Sequence, residues 1–75
     1  MPPMNADPET AWERAAVVSW RICVGQRYST LDIANLTGTT RQNAWSMMMI
    51  LSRVIPIWCD DDGMWGRIEA ILENS

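Results

Sequence analysis

The stretch GTTRQNAWSMMMIL runs from Gly38 to Leu51. It gathers Thr39, Thr40, Arg41, Gln42, Asn43 and Ser46, and it interrupts them with Trp45 and Met49. Arginine makes bidentate contacts to phosphate, carboxylate or guanine, so this is a run suited to recognition. Little else in the chain is suited to catalysis. There is no histidine, so the commonest general base and metal ligand is missing. No carboxylate pair falls in an evidently buried context. Neither Cys23 nor Cys59 has an activating neighbour. No glycine loop is built for phosphate. No catalytic residue, metal site or cofactor is therefore expected. Asp60, Asp61 and Asp62 resemble a calcium loop only superficially, because that loop alternates its acids and ends in a distant glutamate. Consecutive acids read as a solvated turn. Met47, Met48 and Met49 read as core filler, since three successive residues point in three directions around a helix.

These side chains sit in a chain of 75 residues with a net charge of −3, a length that suits one small domain with a limited core. Five tryptophans and six methionines, with no phenylalanine, supply large core pieces and soft gap-fillers. Acids dominate both ends. The middle holds Arg14, Arg21, Arg27, Arg41 and Arg53 against a lone Asp32. All cations are arginine. The net charge argues against a strongly basic nucleic-acid binder, whereas the locally basic centre favours an anionic partner. Cys23 and Cys59 lie in apolar surroundings and read as buried reduced thiols, with a disulfide as the alternative. The N-terminus lacks the charge and apolar run of a signal peptide, and no apolar stretch approaches the ~18 residues of a membrane span. The chain reads as cytoplasmic, with no membrane partner.

Periodicity and capping place the elements. Residues 1–6 read as a disordered leader, and residues 7–75 as the domain. Asp7, Pro8 and Glu9 start a helix that runs to about Val24 and stops at Gly25. Trp12, Ala15, Ala16, Ser19, Trp20, Ile22 and Cys23 share its broad inner face. Val17, Val18 and Val24 lie on or near the opposite side, which carries Arg14 and Arg21. That surplus of apolar surface fits either scattered exposed valine or a partner helix or second subunit; with so small a core the reading taken is a homodimer, with Val17 and Val18 as interface residues. Ser29 and Asp32 form a capping box that opens a second helix, Thr30 to Thr37, closed by Gly38. Its core side is Ile33, Ala34 and Leu36. Thr39 or Thr40 caps a third helix reaching about Arg53. Ala44, Met47, Met48 and Leu51 face its core, with Ile50 at the edge. Arg41, Gln42, Trp45, Ser46, Met49 and Arg53 face outward. Val54 to Cys59 alternates as a strand, with Ile55, Ile57 and Cys59 on one face and Val54 and Trp58 on the other. Asp60 to Gly63 turns, and Met64 to Ile68 returns. Pro56 marks an edge strand. The hairpin is expected to pair Ile55–Trp58 with Met64–Ile68. The segment from Arg67 to Glu73 fits either a longer strand or a last helix using Ile68, Ile71 and Leu72.

Three helices and a hairpin make a mainly α fold, and the local residues resemble a known one. Ser29, Asp32, Ile33-Ala34, Gly38 and Thr40-Arg41 fill the slots of the helix-turn-helix in bacterial winged-helix regulators of the multiple-antibiotic-resistance and arsenical-repressor types. The resemblance covers roughly residues 28–53, with the helix-turn-helix at about 29–53 and the wing at about 54–68. The family usually carries aliphatic residues on either side of the turn glycine, where this chain has Thr37 and Thr39. Its wings tend to be basic, where this chain has three aspartates.

The resemblance implies that the third helix enters the major groove of double-stranded DNA. Arg41, Gln42, Asn43 and Ser46 would read bases, with Trp45 against thymine methyls. Thr39, Thr40 and Arg53, joined by Arg27, would hold phosphates. The implied function is a small transcriptional regulator working as a homodimer on paired half-sites. A second function stays open, because winged helices also bind proteins. Trp45 and Met49, rimmed by arginine, would then be the contact of an interaction module or a phage-type inhibitor of a host complex. Trp45 and Met49 equally fit a position packed beneath the hairpin.

Overall fold

A computed structural model describes residues 8–69. The expected leader, the Asp7 cap, and Ile71 and Leu72 of the final segment lie outside the described residues. Helix α1 spans Pro8–Cys23, with Glu9 in its first turn and Arg21 in its last, each placed to favour the helix dipole. It ends as the sequence predicts. Gly25 takes a φ of 113°. Its N–H bonds to the Ile22 carbonyl at 3.0 Å, and the Gln26 N–H bonds to the Arg21 carbonyl at 3.0 Å. Together these are the paired bonds of a Schellman stop.

Strand β1, Tyr28–Ser29, leads directly into α2, Thr30–Thr37. Both halves of the capping box are present. The Asp32 N–H donates to Ser29 Oγ at 3.0 Å, and the Ser29 N–H donates to Asp32 Oδ2 at 3.2 Å. Gly38 closes the helix at a φ of 74°, a region that costs an L side chain energy. After one further residue, Thr40 caps α3, Arg41–Leu51, by accepting from the Asn43 N–H at 3.1 Å. The helix stops earlier than expected. The Val54 and Ile55 N–H groups both bond back to the Leu51 carbonyl, so residues 52–55 form the helix exit. Pro56 then supplies no N–H. The strand therefore begins only at Ile57.

Strands β2, Ile57–Cys59, and β3, Met64–Arg67, form the expected antiparallel hairpin, with the first strand beginning two residues later than expected. Ile57, Trp58 and Cys59 pair with Arg67, Gly66 and Trp65. The other edge of β3 pairs with β1, Tyr28 opposite Trp65 and Ser29 opposite Met64. The result is a three-stranded sheet in the order β1-β3-β2. Ile68 and Glu69 turn helical instead of extending the strand. Three helices with this small sheet give a mainly α, winged-helix-like topology.

The principal core joins Val18 and Ile22 of α1, Ile33 and Ala34 of α2, Ala44 and Met48 of α3, and Ile57 and Trp65 of the sheet. A smaller cluster sets Ala11 and Ala15 against Met47. Helix α1 is thus turned relative to the expected face. Ala11, Ala15, Val18, Ser19 and Ile22 are buried, while Ala16 and Trp20 are exposed. The reason is steric. Ala11, Ala15 and Ser19 form a row of small residues at four-residue spacing, which lets α1 lie close to α3. Ser19 Oγ donates to the Ala15 carbonyl and lies 3.9 Å from Met48 Sδ. A tryptophan on that line would hold the helices apart. Helix α2 shows a related change. Leu36 points outward, and Thr37 is buried in its place, its hydroxyl satisfied by the Ile33 carbonyl at 2.7 Å. The threonine thus fills the position where the resembling regulators carry an aliphatic residue.

The Ser29 cap is the hinge between β1 and α2, and its loss is measurable. Ser29→Ala removes the acceptor of the box and should cost about 1 kcal/mol. In a chain of this size that is a fall of roughly 4–8 °C in Tm, read by circular dichroism. Ser29→Asp should retain most of the stability, because aspartate also caps.

Candidate nucleic-acid interface

The outer side of α3 is laid out by the 100° step of the helix. Gln42 and Ser46 lie along its outermost line, continued by Arg53 just beyond the helix end. All three are exposed. Arg41 and Trp45, one turn apart, occupy the flank nearer the sheet. Asn43 and Ile50 occupy the opposite flank. The expected recognition residues therefore share a helix but not a single line. The face holds no carboxylate.

The two threonines serve the fold and leave capacity to spare. Thr40 Oγ1 accepts from the Asn43 N–H, and Thr39 Oγ1 accepts from Asn43 Nδ2 at 3.3 Å. A hydroxyl that accepts keeps its own hydrogen to donate, so both remain able to reach an external acceptor. Asn43 is less free. Its amide is tied to Thr39, and a base contact there would compete with that bond.

Trp45 packs and is exposed at once. Its ring meets Trp65 edge-on, with centroids 5.3 Å apart and planes at 61°. This is a favourable aromatic geometry. Yet 44% of the residue stays exposed. Met49, placed outward by the sequence reading, is half-buried against the principal core. Val18, placed at an interface, is buried in that core and is removed from any contact surface. Trp45 also joins Arg41, Gln42 and Thr30 in lining an open groove between the start of α2 and the flank of α3. Thr30 was not singled out from sequence. Its role depends on Trp65, whose Nε1–H donates to Thr30 Oγ1 at 3.0 Å.

Arg27 does not stand free for a phosphate. Its guanidinium pairs with Asp60 Oδ2 at the hairpin. Its stem crosses β3 at buried Gly66, where an added Cβ would come within 3.3 Å of Arg27 Nε. A glycine in mid-strand often marks such a close approach, and this was the signal available in the sequence. Asp60 is correspondingly structural. Its Oδ1 accepts from the Asp62 N–H at 2.9 Å and from the Met64 N–H at 3.0 Å. Gly63, at a φ of 83°, completes the three-residue loop. Only Asp61 and Asp62 project as solvated carboxylates.

Cys23 and Cys59 are free and half-buried. Burial pushes the Cys59 thiol above its ordinary pKa. Among the described residues, no group of three potential ligands is placed to hold a metal ion. No helix among them is long and apolar enough to cross a membrane. A scan against protein-family models and searches of curated proteins and of solved structures return no match.

Two measurements follow from this geometry. The Arg27–Asp60 pair is partly exposed, so a double-mutant cycle with Arg27→Met and Asp60→Asn should give a coupling of about 0.2–1 kcal/mol that shrinks in salt. Asp60→Asn alone should cost more than Arg27→Met, because it also perturbs the turn. Urea unfolding would measure all three. Separately, the raised pKa keeps Cys59 protonated at mildly alkaline pH. Iodoacetamide at pH 8 should modify it more slowly in the folded chain than in urea, as followed by peptide mass mapping.

Proposed function

We propose that the chain binds double-stranded DNA through the outer face of α3, as a small, non-catalytic, intracellular transcriptional regulator of the winged helix-turn-helix kind. The observation that carries this reading is the composition of that face. Arg41, Gln42, Ser46 and Arg53 are exposed along it, no carboxylate lies on it, and the capped turn at Gly38–Thr40 holds its start against α2. Arg41 and Gln42 suit guanine and adenine edges in a major groove. Arg53 and the hydroxyls of Thr39 and Thr40 suit phosphates on its rim. Asn43 takes a smaller part because Thr39 holds its amide. Asp61 and Asp62 face the same polyanion unfavourably, so the hairpin tip limits affinity in this reading.

A second reading, a protein-interaction module, is favoured by one observation. Trp45 and Ile50 are exposed on the flanks of α3, and Val54 is exposed just beyond it. Such apolar exposure around a polar line suits a protein partner.

Fluorescence anisotropy with random duplex fragments at two salt concentrations separates the two. DNA binding should fall steeply with salt, near 0.9 in log–log slope for each neutralised phosphate. Arg53→Ala should weaken all sequences alike and reduce the slope by about one. Arg41→Ala should cost roughly 1–3 kcal/mol and relax specificity at one position. Asp61→Asn with Asp62→Asn should tighten binding. Asp60 is left intact because it holds the turn. Absence of binding at low salt rejects the DNA reading and leaves the interaction module.

A further inference from the structure

The groove between the start of α2 and the flank of α3 holds donors that the fold leaves unspent. It measures about 460 Å³ and is lined by Thr30, Arg41, Gln42 and Trp45. Among the described residues no carboxylate lines it. Thr30 is the informative member. The Trp65 indole N–H donates to Thr30 Oγ1 at 3.0 Å. An indole nitrogen is a donor only, so the direction of this bond is fixed. The threonine oxygen must accept, and its own hydrogen must point elsewhere. That hydrogen meets no acceptor among the described residues. Thr30 is half-buried, and its open side is the groove. Arg41 and Gln42 are both exposed. They add a guanidinium and an amide whose side chains make no hydrogen bond or ion pair among the described residues.

We propose that this groove seats one phosphodiester of the DNA backbone, with Thr30 donating its hydroxyl hydrogen to a non-bridging phosphate oxygen and Trp65 positioning that hydroxyl. This contact rests on the DNA reading of α3 and carries the interface onto α2. A hydroxyl, a guanidinium and an amide around one hollow, with no acid beside them, select an anion. The remaining wall separates a phosphodiester from a bare carboxylate. Trp45 keeps 44% of its surface exposed while its ring is held against Trp65. It offers an apolar flank to the deoxyribose next to the phosphate. Arg41 has five N–H donors, enough to reach a base edge and to charge the rim of the groove as well.

A neutral hydroxyl neutralises no charge. Its bond to phosphate therefore adds affinity on every sequence and releases no counterion. That sets Thr30 apart from Arg53, whose loss lowers the salt slope.

Anisotropy titration of the full chain against a duplex that the unaltered chain selects from random fragments provides the test. Thr30→Val keeps the shape and removes the hydroxyl. It should weaken binding about tenfold on all sequences and leave the salt slope unchanged. Thr30→Ser should bind as the unaltered chain does. Thr30→Val also strips the Trp65 N–H of its acceptor, so circular dichroism checks its fold, and the DNA supplies a second measurement that leaves the fold untouched. Methylphosphonates, placed one at a time along each strand, replace one non-bridging oxygen by a methyl group. At the seated phosphate this change should weaken binding by the unaltered chain about tenfold more than binding by Thr30→Val. Should Thr30→Val fail to fold, Thr30→Cys takes its place in the same cycle, since a thiol is a weak donor and a weak acceptor. Equal affinities of the unaltered chain and Thr30→Val would overturn the contact and leave the DNA reading standing. A loss that couples to no phosphate would overturn it too, because the defect is then one of folding alone. No duplex binding by the unaltered chain would overturn both and leave the groove to an acidic protein partner.

Discussion

Trp65 ties the sheet to the helices. It lies on the central strand β3, between β1 and β2, and its side chain is wholly buried. An indole so placed must still satisfy its N–H, since an unpaired buried donor is costly. Thr30, the first residue of α2, accepts that bond. The bond fixes where α2 begins relative to the sheet. The ring edge also meets Trp45 on α3, so a single side chain sets the hairpin against both helices of the helix-turn-helix. A core this small has few such pieces. The loss of this one would cost several kcal/mol of a total that is itself only ~5–15 kcal/mol.

Features governed by neighbouring residues were legible in the sequence. The capping box at Ser29 and Asp32, the glycine stops at Gly25 and Gly38, and the turn at Gly63 each depend on a few adjacent residues, and each stands where its local chemistry puts it. Features governed by packing were legible only in part. Helix α1 is apolar on too many sides for its pattern to choose a face. Small residues decided it instead, because Ala11, Ala15 and Ser19 admit α3, while Trp12 packs at the edge of that contact and Trp20 is left exposed. The first strand of the hairpin begins late for a backbone reason. Val54 and Ile55 have a strand-like composition, but their N–H groups are consumed in closing α3.

The candidate site divides along the same line. Exposure of Arg41, Gln42, Ser46 and Arg53 follows from helical angle once Ala44, Met47 and Met48 are known to face inward. What angle cannot supply is the pairing of groups distant in sequence. Arg27 and Asp60 stand 33 residues apart, brought together because β1 and β2 flank the same strand. Arg27 reaches across β3 at the one position that has no side chain, Gly66. An acidic triplet that reads as uniform is therefore three different residues: one organises a loop, and two are solvated.

That division bears on how the surface is partitioned. The arginine most deeply involved in the fold is the one neutralised by the hairpin, which leaves the cations of α3 without a carboxylate on their own helix. The basic centre seen in the sequence is thus not one patch. Arg14 and Arg21 lie on the outer face of α1, Arg27 is spent on Asp60, and Arg41 and Arg53 bracket α3. Any anionic partner at α3 meets two arginines and a set of neutral hydrogen-bonding groups, with an acidic loop tip in the same chain. Selectivity from such a surface must come from the geometry of Gln42, Ser46 and Arg41, because a field of two charges attracts every polyanion weakly and alike. Arg41 sits one turn from Trp45, and Trp45 rests on Trp65. The flank of α3 that carries Arg41 is therefore held by the same indole pair that joins the sheet to the helices.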